Sequence, residues 1–411
     1  MPTPQEALPP IPRGPVDGGG PVDGRDSAGG PRVPQLRTHS LHAVRAVGAL
    51  LVVLAHVAGG RGFEGKVFGP GASPWDALHA ATVGVGVDVF LTLSGFFLVL
   101  TAAGPRLGER SVGVSLWRRL VRVLPLYWLA TTGVLAIALL APGQVNGGQE
   151  VPPDVLASYL LVPQAGLPLL LVGWTLTYVV GFYLVFHLGL LTRSSRGLWT
   201  VLAAWGVLVV VVHVVLQFRP EGTGSAGLQT LGTLYNLYPL AGAALAQVLL
   251  AGWRRGAVPA LVAGAAVLVA VGVLRQTPWA WTQSSELRLF GVCLAVCALL
   301  YGLVRLEQDR GWRAPRPLAA VATSSYSLYL VHVPLLGVLA LVGARLPLPD
   351  TTPARIVVIL VAVLVCVAAA RLVHRFVEAP LTRYLTALVP RTRASAGARR
   401  DREPALESTR P

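Results

Sequence analysis

Arg45 and His56 stand eleven positions apart on an apolar run, Leu41 to Ala58, that is otherwise mostly Leu, Val, Ala and Gly. On an α-helix eleven residues make three turns plus about 20°, with a rise of roughly 16 Å, so the spacing predicts both side chains on one face. An ionisable group in so apolar a stretch is presumed functional. Imidazole titrates near neutral pH and can take the proton of a hydroxyl, while a guanidinium holds an anion through paired N–H donors. The plainer alternative is a snorkelling arginine and a hydrogen-bonded packing histidine.

Other polar residues punctuate the later runs. Asp88 enters the second run at a depth close to that of His56 in the first. A lone carboxylate there needs a partner, and the expectation is a hydrogen bond from His56 or another nearby donor that fixes the imidazole tautomer, with helix packing as the alternative. Ser94 and Gly95 read as small residues that let helices approach. Arg118, Arg119 and Arg122 open the third run, ahead of Pro125, Tyr127 and Trp128. They read as topology determinants or as a phosphate site, since guanidinium forks match phosphate oxygens. Ser325, Tyr329 and His332, spaced i, i+4 and i+7, make one polar stripe. His332 falls near the depth of His56, so the two imidazoles suggest a shared chamber, and Pro334 is expected to kink the helix there. Glu378, with Arg375 and Pro380, closes the last run, with structural pairing as its expected role and a contribution to the donor mouth as the alternative. Cys293 and Cys297 share a helix face but make a poor metal site without further ligands.

The elements that carry these residues follow from composition. A chain of 411 residues that is 54% hydrophobic and 13% charged, with mean hydropathy +0.62, is a polytopic membrane protein. Ten runs can cross a bilayer, near 41–59, 82–102, 121–141, 174–192, 198–217, 230–251, 258–274, 287–304, 317–341 and 355–377. The fold class is therefore an all-α polytopic helix bundle. The net charge of +15 comes from arginine, Lys66 being the only lysine. Those arginines gather at alternate ends of the runs, as membrane topology requires, so no nucleic-acid partner is indicated. With the N-terminus inside, short inner loops hold twelve basic residues, among them Arg118, Arg119, Arg305 and Arg310, and outer loops six. Both termini are thus expected to be cytoplasmic. Residues 155–171 are apolar but lie too close to Trp174 for a separate span, and a re-entrant or interfacial segment is expected. Residues 1–38, with GPVDG at 14–18 and again at 20–24, and the basic residues 386–411 are expected to be disordered, which leaves 39–381 as the transmembrane domain.

The first span, SLHAVRAVGALLVVLAH at 40–56, resembles the opening of the acyltransferase-3 family of bacterial membrane O-acyltransferases. Four further stretches match that family in order: GVDVFLTLSGFFL at 86–98, WRRLVRVLPLYW at 117–128, SSYSLYLVHVP at 324–334 and RFVEAPL at 375–381. WTLTYVVGFY at 174–183 and LYPLAGAALA at 237–246 match more loosely. The resemblance implies transfer of an acyl group, usually acetyl, from cytoplasmic acyl-CoA to a hydroxyl of a glycan or glycoside at the outer side of a bacterial plasma membrane. On that basis His56 is the base, with Asp88 and His332 beside it, and His332 binds either the thioester carbonyl or the acceptor. Arg45, Arg118, Arg119 and Arg122 are assigned to the acyl-CoA donor, and Trp174, Tyr178, Tyr183, Ser325 and Tyr329 to substrate. No permanently bound cofactor and no metal are expected, since no P-loop, dinucleotide fingerprint or zinc spacing is present. The chain departs from the family at Val179, where a glutamate is usual, and at His42, where an aspartate is usual. A transporter or flippase-like protein and an inactive scaffolding homologue stay open as alternatives.

Overall fold

Runs of this apolarity can satisfy their backbone polar groups within a bilayer by forming helices. The computed structural model describes residues 39–60, 62–69, 71–102, 112–140, 151–219, 224–274, 276–277, 285–312 and 315–388, which lie within one compact unit, Gln35–Pro411. Among the described residues there are helices and no strands. In chain order they are α1 (His39–Val57), α2 (Phe63–Phe68), α3 (Asp76–Thr82), α4 (Val85–Ala102), α5 (Val112–Leu140), α6 (Val155–Leu160), α7 (Gly173–Leu191) and α8 (Ser195–Gln217). Then come α9 (Ala226–Gly232), a 3-10 turn (Leu234–Asn236), α10 (Leu237–Leu250), α11 (Ala257–Leu274), α12 (Ser285–Arg310), α13 (Arg316–Thr323), α14 (Ser325–Gly343), α15 (Thr352–Val373), a π turn (His374–Glu378) and α16 (Ala379–Ala387). Nine helical segments of the described residues are long and apolar enough to cross a membrane, and α9 with α10, bent by 55° at their break, makes a tenth.

Element ends differ from expectation where backbone hydrogen bonding outruns hydropathy. The third span begins at Val112, so Arg118 and Arg119 lie on a helix with Arg122 and not in a loop. α12 runs on to Arg310 and carries Arg305, which is buried and paired with Asp309 at 2.6 Å one turn later. The ninth span is interrupted at Ser324, between α13 and α14, whereas α14 is continuous through Pro334. Residues 155–171 do not form a span: α6 stops after six residues at Leu161, whose left-handed backbone (φ 54°) ends it. Tyr127 Oη donates to the Ser158 carbonyl (2.6 Å) and Trp128 Nε1 to that of Tyr159 (2.9 Å), which ties α6 to α5. The tail expected from 386 starts later, since α16 reaches Ala387; the expected disorder of 1–38 and of 389–411 lies outside the described residues.

Two contacts fix the frame around α1 and α4. The backbone amides of His39 and Ser40 donate to the buried Glu307 carboxylate of α12 (2.9 and 2.8 Å), and Ser40 Oγ adds a third bond of 2.6 Å. A carboxylate at a helix N-terminus satisfies orphan amides and suits the helix dipole. Across the bundle α4 and α10 touch backbone to backbone. A Cβ added at Gly95 would lie 1.7 Å from the Pro239 carbonyl oxygen, and one at Gly242 would lie 1.8 Å from that of Thr92. Only glycine allows that approach.

Candidate active site

α1 and α14 bring two imidazoles into contact. The rings of His56 and His332 lie edge to face, with centroids 4.9 Å apart and an interplanar angle of 71°. Each is held by its own helix: His56 Nδ1 lies 2.8 Å from the Val52 carbonyl, and His332 Nδ1 lies 2.9 Å from that of Leu328. A carbonyl only accepts, so both Nδ1 atoms carry the proton in the neutral form and both Nε2 atoms keep a lone pair. His332 is fully buried and its Nε2 makes no hydrogen bond among the described residues. A buried polar nitrogen left without a partner is unusual and marks a position where a ligand group can bind.

The rest of the stripe on α14 supports other groups. Tyr329 Oη donates to the Val172 carbonyl (2.9 Å) and contacts the Thr175 hydroxyl, while its ring lies 6.1 Å from that of His332. Ser325 is fully buried and accepts a 2.9 Å hydrogen bond from Arg45. The hydroxyls of Ser325 and Tyr329, two of the five residues assigned to substrate, are therefore engaged by protein groups. Ser327 on the same helix donates to Glu378 (2.6 Å), which also faces His374 Nδ1 at 2.9 Å. Arg375, which closes the same span, lies over the Phe376 ring at 5.4 Å.

Arg45 lies roughly 16 Å along α1 from His56. It feels the charge of Arg122 and of Glu378, and the Tyr183 phenol lies near it. Arg119 sits 5.6 Å over the Tyr183 ring, and its guanidinium reaches the Phe97 carbonyl (3.4 Å) and the Thr101 hydroxyl. Arg45 and Arg119 thus both approach the buried Tyr183, and Arg122 is near enough to act electrostatically on both. Arg118 is exposed and lies about 100° round α5 from Arg119, on another face. His187, which the sequence reading passed over, braces Tyr183: its Nδ1 donates to the Tyr183 carbonyl (2.6 Å) and its Nε2 accepts from Ser115 (3.1 Å). The only signal for it was the i, i+4 spacing shared by Tyr183 and His187 and by Ser115 and Arg119.

Asp88 is fully buried on the first turn of α4, where the helix N-terminus favours a carboxylate, and it acts electrostatically on Cys293 of α12. The tautomer of His56 is set by the Val52 carbonyl, the task the sequence reading gave to Asp88. Trp174, Tyr178 and Tyr235 form a triangle of rings with centroids 5.3 to 6.0 Å apart. Beyond His56, Gly59 opens a connection in which the fully buried Glu64 accepts from the Gly59 amide (3.0 Å), from Ser73 Oγ (2.9 Å) and from Arg355 (2.6 Å). That network binds the segment after α1 to the start of α15. Among the described residues no group of three His, Cys, Asp or Glu could hold a metal ion.

A family model described as an acyltransferase domain, that of the acyltransferase-3 family, matches residues 38–371. The chain is 29% identical over 288 residues to the exopolysaccharide production protein ExoZ of Rhizobium meliloti (strain 1021), an alignment that covers 66% of this chain and 82% of that one. No solved structure matches it. The matched region takes in the histidine pair, Arg45 and the arginines of α5, and on this showing the chain belongs to the acyltransferase-3 family and is a multi-pass membrane acyltransferase.

Proposed function

We propose that the protein is an O-acyltransferase of the bacterial plasma membrane that moves an acyl group, acetyl in the simplest case, from cytoplasmic acyl-CoA to a hydroxyl of an extracytoplasmic polysaccharide. The observation that carries this reading is the His56–His332 pair, whose rings meet edge to face, whose Nδ1 atoms are tied to their own helices and whose Nε2 atoms each keep a lone pair. His56 Nε2 takes the proton of the acceptor hydroxyl, the oxygen attacks the thioester carbonyl carbon, the C–S bond breaks, and the leaving thiolate recovers the proton from the imidazolium. Neutral His332 has only an acceptor at Nε2, which suits a second hydroxyl of the acceptor better than a thioester carbonyl. Arg45, Arg119 and Arg122 hold the phosphates of coenzyme A by paired guanidinium donors. The roughly 16 Å between Arg45 and His56 is a span that an extended pantetheine arm bridges. In this reading the arginine end lies in the cytoplasm and the histidine end at the outer leaflet, with both termini inside. The name of the Rhizobium relative supports a polysaccharide acceptor.

The test is transfer of label from acetyl-CoA to the producing strain's deacetylated exopolysaccharide, using membranes that contain the full chain. Wild type transfers label, and His56→Ala lowers the rate by about 10²-fold or more. Label that reaches the polysaccharide equally well with His56→Ala would overturn the assignment of the base, and no transfer by wild type would overturn the function.

A further inference from the structure

Trp174, Tyr178 and Tyr235 come from two elements, α7 and the 3-10 turn between α9 and α10. Tyr235 lies 5.3 Å from Trp174 and 5.8 Å from Tyr178, and it stacks on the buried Tyr238 at 6.0 Å with an interplanar angle of 26°. All three triangle members are half-buried. The aromatic residues of α5 differ: Trp117 and Trp128 are 49% and 42% exposed, as bilayer-interface residues are.

A built break brings Tyr235 to this place. The chain bends by 55° between Gly232 and Leu234. The carbonyls of Thr230, Leu231 and Thr233 at the break all accept from Asn236 Nδ2 at 2.8 to 3.1 Å. Thr233 at the corner is within hydrogen-bond reach of the Tyr178 hydroxyl. Non-helical backbone at membrane depth is tolerated where it is buried in protein or lines a cavity, and broken spans mark substrate sites. The triangle is also joined to the histidines. Trp174 adjoins Thr175, whose hydroxyl contacts that of Tyr329, and the Tyr329 ring leads on to His332 and His56.

We propose that Trp174, Tyr178 and Tyr235 form a stacking platform for a pyranose ring of the acceptor glycan, and that Tyr235 is a specificity-determining residue; this rests on the acyltransfer to a polysaccharide read above. The chemistry is direct. One face of a pyranose presents axial C–H groups of slightly positive character, which lie well against the negative face of an aromatic ring. The hydroxyls on the ring's edge stay free for Nε2 of His56 and His332. The rings are inclined to one another by 86°, 64° and 42°, so the sugar lies against one ring face at a time and is discriminated by how many C–H groups share the face it presents.

The experiment uses the full chain in nanodiscs, with the strain's own depolymerised, deacetylated exopolysaccharide and acetyl-CoA. Tyr235→Leu and Trp174→Leu keep apolar bulk and remove the aromatic face. Each is expected to raise the acceptor KM about tenfold while the donor KM stays unchanged, and Tyr235→Phe is expected to restore the wild-type value. Saturation-transfer NMR with the same oligosaccharide and no donor should show contacts to sugar C–H protons that Tyr235→Leu removes. Wild-type transfer with an unchanged acceptor KM in both Leu variants overturns the platform and leaves the proposed function standing. Failure of wild type to transfer at all overturns that function, and the NMR arm then decides the platform separately: saturation transfer lost with Tyr235→Leu supports it, and saturation transfer absent from wild type or unchanged in the variant overturns it.

Discussion

Replacing Glu64 by Gln removes the charge from a carboxylate with no exposed surface that holds the segment beyond His56. Three donors converge on it: the Gly59 amide at 3.0 Å, Ser73 Oγ at 2.9 Å and the Arg355 guanidinium at 2.6 Å. Glutamine keeps one acceptor oxygen and turns an NH2 group toward partners of which only the Ser73 hydroxyl can accept from it. Arg355, whose side chain is 11% exposed, is left with Asp350 alone. Breaking a buried ion pair costs about 3–5 kcal/mol, and the surviving Asp350 contact places this case near the lower limit, about 3 kcal/mol. If that energy is spent locally, the opening constant of the segment from 59 to 82 rises about 100-fold. Hydrogen exchange followed by mass spectrometry in nanodiscs reads this directly. Peptides from that segment should lose about two decades of protection while α7 and α8 keep theirs. Protection unchanged in the 59–82 peptides, or lost evenly through the bundle, would refute the view that Glu64 is the local fastener.

Two further changes test other supports. Gly95→Ala places a Cβ 1.7 Å from the Pro239 oxygen, where an ordinary C···O contact needs about 3.3 Å, so α4 and α10 must part by about 1.6 Å. The expected cost is about 1–3 kcal/mol, seen as a lower thermal midpoint in detergent, and an unchanged midpoint would show that the helices can re-pack freely. Asp350, in the loop before α15, is held below the usual carboxylate range by its hydrogen bond from Arg355. A depressed folded value means that its stabilising contribution is present above the unfolded pKa of about 3.9 and is lost as pH falls through the folded one. Thermal midpoints of wild type and Asp350→Asn should therefore converge on acidification below about pH 4, and a gap that persists there would contradict the pairing.

The sequence was most legible where a helix's own period decides the outcome. The placing of Arg45 and His56 along one helix needs only 3.6 residues per turn, and the approach of His332 follows from counting depth along two spans. Long-range partners were illegible. Glu307 binds the start of α1 across 267 residues and Arg355 meets Glu64 across 291, and nothing local announces either. The break before Tyr235 was hidden because a hydropathy window passes over one turn of irregular backbone. Hydropathy also misplaced the start of α5, since the helix continues through its polar arginine-bearing turns once their heads reach another helix's groups, as Arg119 reaches Thr101.

Val179 is where pattern and structure bear on each other most closely. It packs at 8% exposure into the apolar core of α7, so that position offers no carboxylate to a histidine. The imidazoles do not need one for their orientation. Val52 and Leu328, each four residues before its histidine on the same helix, supply the accepting carbonyl. A tautomer fixed by the helix that carries the ring is insensitive to what a neighbouring span presents, so loss of an acid at 179 is compatible with an intact base.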